Sequence, residues 1–116
     1  MKKSNADLRP MLCSFLLAAA GLPLHAHADQ QPRAGDQTVA QVCSACHGSG
    51  LMDAPRIGDG NAWGARLKRA GSLDALASSA EHGRGDMPPR GGVPELTHDD
   101  LKAAIHYMLN KSGVDL

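Results

Sequence analysis

Aromatic side chains are scarce in this chain of 116 residues, which has one Phe, one Trp and one Tyr. Phe15 falls in an apolar N-terminal run, so Trp63 and Tyr107 are all the ring bulk left for the remainder. A small domain built on two aromatic residues is marginal without a staple. Long apolar runs are also missing. Met11 to Leu24 is mostly apolar but is interrupted by Gly21 and Pro23, and falls short of the eighteen or so residues that a spanning helix requires. The three cysteines are Cys13, inside that run, and the pair Cys43 and Cys46. A structural zinc site would want a second pair of Cys or His ligands, and a thioredoxin-like pair would want βαβ patterning around it. Neither is visible. There is no internal repeat and no low-complexity tract.

The N-terminus reads as a secretory signal. Lys2, Lys3 and Arg9 make a basic start, an apolar stretch follows, and Ala26-His27-Ala28 offers small residues at the two positions a signal peptidase reads. The expected organisation is a signal peptide over 1–28 and one domain over 29–116, with Asp29 as the mature start and a periplasmic location; an uncleaved membrane anchor is the alternative. Formal charge over the whole chain is zero, but residues after 28 keep nine basic and eleven acidic side chains, about −2. The basic footprint of a nucleic-acid binder is absent.

What the chain does have is Cys43-Ser44-Ala45-Cys46-His47. Two thiols three residues apart, with histidine directly after the second, form the attachment signature of a c-type haem. On one helical turn the three residues sit at i, i+3 and i+4, so two sulfurs reach the porphyrin edge while the imidazole turns under the iron. No second such motif occurs, so one haem is expected. Its flat apolar ring supplies the bulk that the missing aromatics do not.

Four helices and no strand of consequence are expected. The first runs from about Asp36 to His47, with Val39, Val42, Cys43 and Cys46 on one face. A glycine- and proline-rich loop follows. The second helix covers about Asn61 to Ala70, stopped by Gly71, and the third runs from Ser72, a capping residue, to about Glu81. Gly83 to Pro94 is rich in glycine and proline and reads as loop. Thr97-His98-Asp99-Asp100 has the form of a capping box, opening a last helix with the stripe Leu101, Ala104, Ile105, Met108 and Leu109.

The iron's second ligand must come from the far side of the ring. Met87 is the candidate, because it lies in the loop with no helical packing role and Pro88 and Pro89 fix the chain after it; the alternative is a loop apolar residue. Met108 belongs to an apolar stripe, and Met52 lies too near His47 along the chain. His82, His98 and His106, on polar faces or helix ends, would make a bis-histidine site.

The motifs Val42-Cys43-Ser44-Ala45-Cys46-His47-Gly48, Ala54-Pro55-Arg56-Ile57-Gly58-Asp59, Trp63 with Arg66, Met87-Pro88-Pro89-Arg90-Gly91-Gly92 and Ala103-Ala104-Ile105-His106-Tyr107-Met108 occur in this order. In this the chain resembles the class I monohaem cytochromes c, closest to the short bacterial cytochrome c-five subgroup. The resemblance implies an all-α fold with the first and last helices crossing, a His47/Met87 iron, and a single-electron carrier rather than an enzyme. Pro55 would accept the proton of the other His47 ring nitrogen, and Trp63 and Arg66 would lie near a haem propionate. Partners would be redox proteins, with peripheral contact to membrane-bound respiratory complexes and no small-molecule substrate. A haem-bearing subunit of a larger oxidoreductase, or a haem sensor or peroxidase with labile Met87, are the other readings. Two features depart from the pattern: Val39 stands where an aromatic residue often follows the glycine represented by Gly35, and an extra cysteine pair found in some members is missing.

Overall fold

The computed structural model describes residues 32–116; the expected secretory segment 1–28, with Cys13 and Phe15, lies outside them. Four helices make up the described chain: α1 over residues 35–47, α2 over Gly60–Ala70, α3 over Leu73–His82 and α4 over His98–Lys111. Among the described residues there is no strand, only an isolated bridge between Arg84 and Met87. No helix in them is long and apolar enough to cross a membrane.

Side-chain caps set the helix ends. Asp59 accepts from Ala62 N–H at 3.0 Å and starts α2 one residue before the sequence-based boundary. Gly71, at φ +87°, ends it in the left-handed region open to glycine. Ser72 accepts from Ala75 N–H at 3.0 Å and starts α3. At α4 the capping box is complete: Asp100 N–H donates to Thr97 Oγ1 at 3.1 Å, and Thr97 N–H to Asp100 Oδ2 at 2.9 Å. The second Asp100 oxygen accepts from Arg33 N–H at 2.5 Å, which ties the segment before α1 to the start of α4. Burial pushes the Asp100 carboxyl up, but the N–H groups of Thr97 and Arg33 outweigh it and hold the group below the usual carboxylate range.

Helices α1 and α4 pack against each other, and Gly35 makes the close approach possible. A Cβ on Gly35 would collide with the carbonyl oxygen of Ala103 in α4. Val39, one turn on, is buried at the position where the resemblance expects an aromatic residue, so aliphatic packing replaces ring packing at the crossing. Gly35→Ala must therefore push the helices apart. The expected cost is about 1–3 kcal/mol, read as a lowered midpoint in thermal unfolding of the holoprotein; an unchanged midpoint would contradict the tight crossing.

The core combines Val39, Trp63, Leu76, Ala77, Ala80, Leu96 and the α4 stripe Leu101, Ala104, Ile105, Met108 and Leu109. The α4 stripe read from the sequence is buried throughout. Fully enclosed side chains are aliphatic, Leu96 and Leu109 being the largest of them. Trp63, at 3% exposure, is the one aromatic side chain in this core.

Two elements differ from the sequence-based expectation. Helix α1 is not a uniform α-helix: between α-turns at Gly35–Thr38 and Ser44–His47 it widens to a π-turn over Val39–Cys43. Ser44 N–H reaches back five residues to Val39 O, and the Ser44 hydroxyl donates to Ala40 O at 3.0 Å, the acceptor an α-turn would give to that N–H. The stretch after α3 is more ordered than a loop. It contains the Arg84–Met87 bridge and a 3₁₀ turn over Pro89–Gly92, in which Arg90 at φ +56° and Gly91 at φ +62° reverse the chain.

Candidate functional site

Cys43 ends the π-turn, and Cys46 and His47 lie on the α-turn after it. Both cysteines are free thiols with no disulfide between them, and both are half-buried. Burial pushes the Cys43 thiol up to about 11. It stays protonated at neutral pH.

His47 is buried, and its surroundings fix the ring. Nδ1 lies 2.8 Å from the carbonyl oxygen of Pro55. With Nδ1 carrying the proton for that bond, Nε2 is the nitrogen with a lone pair free for a metal. Two residues on, Ile57 N–H donates to the main-chain carbonyl of His47 at 2.8 Å. Residues 55–57 thus form a strap bonded to both ring and backbone of His47. Gly58 N–H continues the strap to Ser112 Oγ at 2.9 Å, and Ser112 in turn donates to Met108 O at 2.7 Å, so the strap is anchored on the end of α4.

Trp63 packs on His47 with ring centroids 5.4 Å apart and planes tilted by 38°. Its indole N–H donates to Arg56 O at 3.0 Å. Arg66 Nη1 makes a long 3.4 Å contact to Ala62 O in its own helix. The motif Pro55-Arg56-Ile57 was legible in the sequence. The Trp63 bond to Arg56 was not, because nothing in local spacing pairs an indole with a carbonyl seven residues earlier.

Met87 lies in the turn after α3 and packs half-buried against the core. Its backbone is paired, where the sequence reads only loop: Met87 N–H donates to Arg84 O and Arg84 N–H to Met87 O, each at 3.0 Å, across Gly85 at φ +57°. The following 3₁₀ turn is closed around the Arg90 guanidinium, which donates to Pro94 O at 3.1 Å, Leu96 O at 2.8 Å and Glu81 Oε1 at 2.7 Å. Glu81 Oε2 lies 3.0 Å from His98 Nδ1, and His98 Nε2 lies 3.2 Å from Asp74 Oδ1, which Lys102 also holds at 3.0 Å. This network fastens the turn after Met87 to α3 and α4. Its members are scattered from residue 74 to 102, so no local sequence pattern announces it. His82 bonds Ser78 O at 2.8 Å in its own helix, and His106 is exposed on α4.

The network sets a pH dependence. Hydrogen bonds to Glu81 and then Asp74 raise the His98 imidazole above its ordinary range, while hydrogen bonding to Lys102 and then His98 lowers Asp74, and that to His98 lowers Glu81. The raised group stabilises the fold while protonated and loses that contribution as pH rises through its folded-state pKa; the lowered carboxylates lose theirs only in acid. Thermal midpoints measured from about pH 6 to about pH 9 are expected to fall more in the wild type than in His98→Gln. Parallel profiles would show that the network does not titrate there.

The residues fit a c-type haem on structural grounds. Two half-buried cysteine side chains stand one turn apart, beside a buried imidazole with one nitrogen fixed by a carbonyl. Half-buried apolar side chains from the flanking segments, Val42, Ile57, Leu67, Met87 and Val93, pack against the core and suit a large apolar ring. Among the described residues no cluster of His, Cys, Asp and Glu offers a separate metal site.

Comparison with known proteins agrees with this chemistry. The family model for cytochrome c oxidase, cbb3-type, subunit III matches residues 30–108. Cytochrome c5 of Azotobacter vinelandii is 46% identical over 76 residues, 66% of this chain and 92% of that protein. Cytochrome c5 of Ectopseudomonas mendocina is 41% identical over 76 residues, 66% of this chain and 87% of that one. A cytochrome chain from a crystal structure of an electron transfer complex of nitrite reductase with cytochrome c superposes with a TM-score of 0.63 at 37% identity, covering 72% of this chain and 99% of that one. The all-helical fold, the Cys-x-x-Cys-His turn and these relatives together place the chain in the class I cytochromes c of the c5 type, electron-transfer proteins that carry haem covalently and are not enzymes.

Proposed function

We propose that this chain is a periplasmic single-electron carrier holding one haem, with Cys43 and Cys46 as the thioether sites and His47 Nε2 and the Met87 sulfur as axial ligands. The observation that carries the reading is the 2.8 Å contact between His47 Nδ1 and Pro55 O, which fixes tautomer and ring plane as a metal-ligating histidine requires. When bound, the haem supplies a ferric/ferrous couple. The protein's part is positional: two thioethers anchor the ring, the strap 55–57 orients His47, and the paired turn carrying Met87 presents the sulfur. With His47 and Met87 both holding the iron, no position would be left for a substrate, and the chemistry supplied would be outer-sphere electron transfer. Arg66, whose contact to its own helix is long, is assigned to a propionate. Secretion through segment 1–28 is part of the reading, and N-terminal sequencing of the mature protein should begin at Asp29.

Redox proteins are the partners. The matched complex is one of nitrite reductase with cytochrome c, which supports a reductase as acceptor here. Of the basic residues outside the secretory segment, Arg33, Arg56, Lys68, Arg69, Arg84 and Lys111 are exposed, whereas Arg90 is tied to Glu81. Glu95 and Asp99 form an exposed acidic patch at the start of α4. With an acidic partner, electron transfer should slow as ionic strength rises, and Lys68→Glu with Arg69→Glu should slow association about tenfold at low salt without moving the potential. A rate indifferent to salt and to both reversals would point to an apolar contact instead, and Leu51 and Met52, exposed just after the His47 turn, are placed to make one.

The cbb3-type subunit III description of the matching family favours a second reading, a haem-bearing subunit of a larger oxidoreductase with peripheral contact to a membrane complex. Extraction without detergent separates the two. The carrier elutes at the size of its own chain, the subunit with a complex.

A further inference from the structure

We propose that Trp63 is a positioning residue for His47, acting through the carbonyl of Arg56. The inference rests on His47 as the axial ligand. The peptide plane joining Arg56 to Ile57 is bonded at both ends: its oxygen accepts from Trp63 Nε1 at 3.0 Å and from Asp59 N–H at 3.0 Å, and its N–H donates to His47 O at 2.8 Å. A planar peptide transmits that restraint as a rigid unit. The plane before it, joining Pro55 to Arg56, carries the oxygen that receives the His47 Nδ1 proton. One indole therefore touches the imidazole face and holds the strap that holds the imidazole edge.

Trp63 is well placed for this. It is 3% exposed, it lies in the first turn of a helix capped by Asp59, and Asp59 N–H shares its Arg56 acceptor. The far end of the strap is anchored separately on Ser112, so removing the indole N–H loosens one side of the plane without releasing the whole segment. The family resemblance places Trp63 near a haem propionate; its N–H donates to the Arg56 carbonyl, so the consequence falls on the opposite end of the imidazole from the iron. A firm Nδ1–H to carbonyl bond makes the imidazole more basic and favours ferric iron. Loosening it shifts the potential upward and exposes the Nδ1 proton to solvent.

Because the chain has a single Trp, biosynthetic replacement of tryptophan by β-(3-benzothienyl)alanine changes this position alone and removes the N–H while keeping the ring. Trp63→Phe is the second variant. In the ferrous holoprotein, both are expected to exchange the His47 Nδ1 proton roughly five- to tenfold faster and to shift the potential upward, with amide protection in α3 unchanged. A propionate role or a purely packing role would leave the Nδ1 exchange rate where it is, so a folded variant with wild-type exchange and potential would overturn the proposal. Should neither variant mature, the wild-type protein decides: a through-hydrogen-bond coupling between Trp63 Nε1 and the Arg56 carbonyl carbon is expected, and its absence overturns the assignment. Failure of the ligand assignment is separately visible, as loss of the ring-current shift that a haem plane imposes on the His47 ring carbons' protons.

Discussion

Replacing both thiols, Cys43→Ala with Cys46→Ala, should yield a chain with little of the holoprotein's helicity. The described core has one aromatic side chain, Trp63, and its largest fully enclosed residues are two leucines. Domains this small bury too little surface to offset the ordering of their backbone by a wide margin. In the proposed reading, the ring held by these two sulfurs would add apolar area in the middle of the fold, and the thioethers would keep it there after any transient opening. Without them, cohesion rests on noncovalent haem and an aliphatic core. The helix α1 is the most exposed to this loss, because a π-turn sits in its centre and its pairing with α4 depends on a glycine contact. Circular dichroism of the purified double variant checks the expectation. Native-like helicity in the absence of haem would show that the polypeptide folds by itself and that the cofactor is only a passenger.

Met87→Ala should keep the haem attached and change its chemistry. With attachment assigned to Cys43 and Cys46, on a different segment from Met87, the covalent spectrum is expected to survive. The turn around residue 87 also survives in large part, because its bonds are backbone to backbone with Arg84 and its closure belongs to Arg90. What disappears is the thioether. Methionine ligation raises the potential relative to histidine or water, so a fall on the order of 0.1 V is expected, within the ~0.8 V over which axial ligands tune haem. The far-red charge-transfer band of methionine-bound ferric iron should vanish, and azide or imidazole should bind. A variant that keeps the band and the potential would assign the sixth position to another residue.

Local signals in the sequence carried a good part of this architecture. Capping by Ser72, the Gly71 stop and the Thr97–Asp100 box are short-range patterns with one physical solution each, and all three are present. The α4 stripe is legible because its period puts five apolar residues on one face. The Cys-x-x-Cys-His turn declares its chemistry through spacing alone. The features that escaped are of another kind. The π-turn in α1 differs from an α-turn by one residue in a hydrogen-bond register, and its support from the Ser44 hydroxyl is indistinguishable in sequence from ordinary helix decoration. Arg90 adopts a left-handed conformation that residues with a Cβ rarely take, and it is held there because three acceptors from two segments converge on its guanidinium. The sequence marks Asp100 as part of a capping box, which it is; that its other oxygen fastens Arg33 depends on tertiary placement. The bond from Trp63 to Arg56 likewise exists only once α2 has docked beside the strap.

Spectroelectrochemical titration of the mature holoprotein at neutral pH, with the far-red methionine band followed alongside the haem bands, tests the central claim most directly. A His47/Met87 electron carrier predicts one reversible one-electron wave, a band that appears on oxidation and disappears on reduction with the same midpoint, and indifference to added azide. A ferric form without that band that binds azide readily, or a second redox wave, would contradict it.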